Sequence, residues 1–77
     1  MIYMKQFTRE QIEILKALYP AGTRIELGSM EDSQAVPRGT KGTVVLVDCM
    51  GTIHMKWDNG RTLGIIPGVD SFRKISS

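Results

Sequence analysis

The pattern of apolar and polar positions along the chain changes character at Pro20. Before it, Ile12, Leu15 and Tyr19 recur at three- and four-residue spacing, and Ile14 and Leu18 form a second row beside them. Arg9, Glu10, Glu13 and Lys16 occupy the other side. This period predicts an amphipathic helix within residues 1–19. Thr8 reads as its N-cap, Gln11 three positions on completes a capping box, and Phe7 and Ile12 have the spacing of a hydrophobic staple. Pro20 ends the helix, because the residue before a proline is steered out of the α region.

Beyond Pro20 the period falls to two. Residues 23–27 place Ile25 and Leu27 on one face and Arg24 and Glu26 on the other. Residues 28–39, GSMEDSQAVPRG, read as a long polar loop. From Gly42 to Pro67 the sequence GTVVLVDCMGTIHMKWDNGRTLGIIP reads as three short strands joined by tight turns at Met50–Gly51 and Asn59–Gly60. Asn-Gly between alternating segments is the strongest short-range hairpin signal, and a type I′ turn there calls for positive φ at both central residues. Ile53, Met55 and Trp57 share one face, with His54, Lys56 and Asp58 opposite. Val44 to Val47 is apolar throughout, so periodicity does not assign its faces. A closing strand is expected around Phe72 to Ile75. The expected fold is mainly β: a small SH3-like barrel over residues 20–77, preceded by an N-terminal amphipathic α-helix in residues 1–19. The helix stripe either closes one end of the barrel or pairs with the same stripe of a second chain.

Composition narrows the function classes. Seventy-seven residues, 42% hydrophobic and 23% charged, make one folded domain near the lower size limit for a core-stabilised chain. Ten basic residues against eight acidic ones leave a charge of +2, which permits nucleic-acid binding without arguing for it. A single cysteine, Cys49, rules out an internal disulfide. No apolar run approaches the roughly 20 residues of a membrane span, and MIYMKQF lacks the features of a secretory signal. A reducing cytoplasm is the expected setting.

The candidate chemistry is sparse. Trp57 is either a platform for stacking on a ligand or the filling of a small core, and its alternation with Ile53 and Met55 favours the core. His54 has no sequence motif around it that supplies a nucleophile or an electrophile-stabilising donor. Cys49 has no paired base in the sequence and no metal-spaced partner. Asp58, Asn59 and Gly60 are sufficiently explained as turn residues. Arg38, Lys41 and Arg61 form a modest anion site if the fold brings them together. No catalytic set, metal site or cofactor is expected.

Three segments carry a resemblance over nearly the whole chain: YPAGTRIEL, PRGTKGTVVLVD and GTIHMKWDNGRTLGIIPGVDSF. They resemble the bacterial and phage family catalogued as domain of unknown function 4314, whose distribution implies mobile-element cargo. More distantly, GTKGTVV, WDNG and PGVDSF resemble the small barrel of Mind-bomb and HERC-type ubiquitin ligases, which are recognition modules. GTKGTV also resembles the KOW element of barrels that contact RNA or protein. These resemblances imply a fold more directly than a function.

The expected function is therefore a non-enzymatic recognition or adaptor module encoded on a phage or mobile element, with a protein as the first choice of partner. Its candidate partner-binding residues are Met30, Arg38, Lys41, His54, Lys56, Trp57 and Arg61. Two alternatives stand beside it. One is nucleic-acid binding through Arg38, Lys41, Lys56 and Arg61. The other is inhibition of a host defence, by blocking an effector or sequestering a signalling nucleotide. Homo-oligomerisation through the helix stripe is a further expectation, because so small a core gains most from extra apolar burial.

Overall fold

The computed structural model describes residues 7–76. Its first element is the helix α1 (Arg9–Leu18). Thr8 caps it as the spacing predicts: the Thr8 hydroxyl accepts from the Gln11 N–H at 3.1 Å, and the Gln11 side chain accepts from the Thr8 N–H at 2.9 Å. The part of the expected helical segment before Phe7 lies outside the described residues. Leu15 and Tyr19 pack against the core, whereas Ile14 and Leu18 are 58% and 48% exposed. The first apolar row thus meets the chain's own sheet and the second faces solvent. At the C-terminal end, Lys74 Nζ donates to the Leu18 carbonyl at 2.8 Å and sits 5.9 Å from the Tyr19 ring centroid. A cation there suits the negative end of the helix dipole.

Four strands follow: β1 (Arg24–Ser29), β2 (Lys41–Val47), β3 (Ile53–Trp57) and β4 (Ser71–Ser76). They form one antiparallel sheet in the order β3-β2-β1-β4. The alternation read from the sequence determines its two faces. Ile25, Leu27, Val44, Val47, Ile53, Met55 and Trp57 are buried on the inner face, joined by Val36 of the long loop and by Ile65. Trp57 is 1% exposed, and its Nε1–H donates to the Leu63 carbonyl at 2.7 Å. The ring therefore fills the core with its polar atom satisfied. The long loop is accordingly less polar in its role than its composition suggests, since Val36 anchors it to the core.

The apolar run in β2 is resolved by a bulge. Register shifts between Val44 and Leu46, so Val45 and Leu46 both face outward while Val44 and Val47 point in. An extra residue in one strand breaks strict alternation in this way.

Three expectations need correction. The sheet is not closed into a barrel, so the mainly β fold with its N-terminal helix is an open four-stranded sheet. The third strand of the meander shrinks to a single bridge, Ile53 with Ile65. Its extension is stopped chemically: Pro67 has no N–H, and the Ile66 N–H is taken by Asp70 Oδ2 at 2.8 Å. The Asn59–Gly60 turn also differs from type I′, because Asn59 does not have positive φ while Gly60 has φ 91°. Trp57 N–H bonds to the Arg61 carbonyl and Gly60 N–H to the Trp57 carbonyl, a three-residue loop ending in a left-handed glycine. Asp48 to Thr52 repeats the same geometry, with Gly51 at φ 90°.

Candidate functional site

With the inner face given to the core, the charged side chains of the strands collect on the outer face. In β1, Arg24 and Glu26 alternate with Ile25 and Leu27. Lys41 and Thr43 do the same in β2, and His54 and Lys56 in β3. Register brings Glu26 between Lys41 and Arg73, and Arg24 beside Thr43, which in turn pairs with Lys56. The face thus gathers charged and polar side chains from all four strands, with Leu46 exposed beside His54.

Part of its charge is neutralised internally. Arg24 holds Asp58 through two hydrogen bonds, Nη1 to Oδ1 at 2.9 Å and Nη2 to Oδ2 at 2.6 Å, while Nη1 also reaches Thr43 Oγ1 at 2.8 Å. The Arg24 hydrogen bond, with the nearby charges of Arg24 and Lys41, holds the Asp58 carboxyl below the usual carboxylate range. Arg73 donates to Glu26 Oε1 from Nε at 3.2 Å and from Nη2 at 2.7 Å. Among the described residues, Arg38, Lys41 and Lys56 form no ion pair. On the outer face, these three cations carry charge that no described carboxylate pairs with.

A concavity lies at one end of this face. Where β1 passes between β4 and the end of the long loop lies a depression of about 270 Å³, bounded by Glu26, Gly28, Arg38, Gly39, Ser71 and Arg73. Gly28 is required there: a Cβ at that position would lie 2.4 Å from Ser71 Oγ and 2.9 Å from the Ser71 carbonyl oxygen. Arg38 and Arg73 both line the depression, together with the apolar Leu27 and Phe72.

The residues expected from sequence divide in three. Arg38, Lys41, His54 and Lys56 lie on or beside the outer face. Trp57 is in the core and offers no open ring face, while Met30 is half-buried and packs against the same core. Arg61 donates to the Gln34 carbonyl, pinning the long loop to the β3 hairpin instead of joining the lysines. Sequence reasoning missed Arg24, Ser71 and Arg73. The alternation of residues 23–27 already put Arg24 opposite the core, but the pairing of β1 with β4 was needed to add the other two.

The residues with chemical potential are engaged structurally. His54 Nε2 lies 2.8 Å from Asp48 Oδ2, and Asp48 Oδ1 accepts from the Met50 and Thr52 N–H groups at 2.9 and 3.0 Å. Burial pushes the Asp48 carboxyl up, but the hydrogen bonds from His54, Thr52 and Met50 outweigh it and hold the pKa below its ordinary value. Cys49 is exposed in the same turn. Among the described residues no group of three or more His, Cys, Asp or Glu side chains is arranged to hold a metal ion. No described helix is long and apolar enough to cross a membrane.

The family model described as "Domain of unknown function (DUF4314)" matches residues 8–75, from the helix cap to the last strand. The chain belongs to the DUF4314 family. No curated protein and no solved structure matches it. The DUF4314 match covers α1 and all but the final residue of β4, so the open sheet and its outer face both lie within the matched region.

Proposed function

We propose that this DUF4314 protein is a small, non-enzymatic recognition module that binds a protein partner through the outer face of its sheet and the adjoining long loop. The observation that carries the reading is the composition of that face. Arg24, Arg38, Lys41, Lys56 and Arg73 share it with the carboxylates of Glu26 and Asp58, in a chain whose net charge is +2. A cationic surplus favours an acidic partner. The interspersed carboxylates favour a partner that carries both signs of charge, as a protein does, over the uniformly anionic backbone of nucleic acid, and no aromatic ring among the described residues is fully exposed as a stacking platform. His54 is tied to Asp48, which also accepts from the Met50 and Thr52 N–H groups, and the use of this pair in holding a turn supports a binding role. Action in the cytoplasm, on behalf of a phage or mobile element, belongs to the same proposal.

The test pairs affinity capture with salt titration. Tagged wild-type protein, incubated with a bacterial lysate treated with nuclease, is expected to retain a defined protein partner. Binding to single- and double-stranded oligonucleotides is expected to be weak at 150 mM salt. Tight oligonucleotide binding that falls steeply with added salt, with no protein retained, overturns the reading in favour of nucleic acid. A large rise in melting temperature with a cyclic nucleotide would instead point to the sequestering role.

A further inference from the structure

Resting on that recognition reading, we infer that the depression between Arg38 and Arg73 is the anchor point, and that it takes a carboxylate from an acidic segment of the partner. Three donor-bearing side chains, those of Arg38, Arg73 and Ser71, line it. The Arg38 guanidinium makes no ion pair among the described residues. Arg73 directs Nε and Nη2 at one oxygen of Glu26, leaving Nη1 open. The Ser71 hydroxyl sits in the space that a Gly28 side chain would take.

The neighbouring Glu26 decides between anions. A singly charged carboxylate can bridge Arg38 and the free edge of Arg73 while Glu26 keeps its own oxygen on Arg73. Arg38, Arg73 and Glu26 together carry one net positive charge, so a singly charged carboxylate leaves the cluster neutral, whereas a doubly charged phosphate leaves it with excess negative charge. Arg73 already holds one carboxylate, with Nε and Nη2 on a single Glu26 oxygen. A side-chain carboxylate on an extended acidic segment is therefore the group the site fits.

The test is a titration of the full-length, ¹⁵N-labelled protein with a capped tetraglutamate peptide. Saturable shifts are expected at the Gly28, Gly39 and Ser71 amides and at the Arg38 side-chain Nε–H, with none from a capped tetraglutamine peptide. Arg38→Ala is expected to weaken binding about tenfold, in keeping with loss of a charge-assisted hydrogen bond. Ser71→Ala should weaken it a few-fold, by roughly the loss of one neutral hydrogen bond. Arg9→Ala, which removes the same charge from the exposed side of α1, away from the sheet's outer face, should leave it unchanged. Absence of saturable shifts, equal weakening by Arg38→Ala and Arg9→Ala, or tighter binding of inorganic phosphate or oligothymidylate at the same resonances would each overturn the inference. If the wild-type protein retains a protein partner while the depression stays silent, the site is wrong and the recognition reading stands. If neither is seen, both fail.

Discussion

At the scale of single residues, the two hairpin glycines share a backbone conformation but differ in surroundings. Gly60 has φ 91° with nothing within 4 Å of an added Cβ, whereas a Cβ at Gly51 would lie 2.5 Å from the Phe7 ring. Gly60→Ala therefore pays mainly for a left-handed backbone, about 1–2 kcal/mol, which corresponds to a melting temperature lower by roughly 5–15 °C in a domain this small. Gly51→Ala should cost more, because Phe7 must also move. Equal losses for the two variants in a thermal melt would contradict this reading of the Phe7 contact. Asp48 sets a pH dependence. Its folded pKa lies below the ordinary value of 3.8, so its contribution is fully present above that value and is lost as pH falls through the lower folded pKa. Asp48→Asn should flatten the fall in stability below about pH 4 in acid-denaturation curves.

At the scale of elements, α1 and the strands differ in how firmly they are held. No residue of α1 is buried, while β1, β2 and β3 each contribute two or three residues to the core. Amide exchange should accordingly be faster in α1 than in β1 and β2, since opening the helix exposes little apolar surface. Thr8→Ala removes the capping hydroxyl at a cost of about 1 kcal/mol and should accelerate exchange throughout α1 while leaving the β1–β2 amides unchanged. Uniform acceleration across the sheet would show that the helix and sheet open together. The elements also show what sequence could reveal. The capping box was legible because Thr8 and Gln11 are three residues apart and need no tertiary partner. The third meander strand was not, because Leu63 to Ile66 has strand-like composition but Asp70 and Pro67 withdraw the N–H groups a ladder requires. The outer face was half legible: alternation separated Arg24 and Glu26 from the core, but the β2-β1-β4 order that sets Arg73 and Ser71 beside them joins residues almost fifty positions apart.

At the scale of the whole molecule, the open sheet has a packed side and a charged side, and each implies a different kind of association. On the packed side, Ile14 and Leu18 of α1 remain exposed. If these residues support self-association, as we propose alongside partner binding, Ile14→Glu with Leu18→Glu should convert a dimer to a monomer in light scattering without lowering the melting temperature. A wild-type monomer at all concentrations contradicts that part of the proposal. On the charged side, recognition should depend on the outer cations and not on the helix. The most direct measurement compares partner capture by the wild-type protein, by an Arg38→Glu/Lys41→Glu variant and by the Ile14→Glu/Leu18→Glu variant, with folding of each verified by its melt. The account predicts that the folded outer-face variant loses the partner and the helix variant keeps it. Retention by the outer-face variant, with loss by the helix variant, would contradict it.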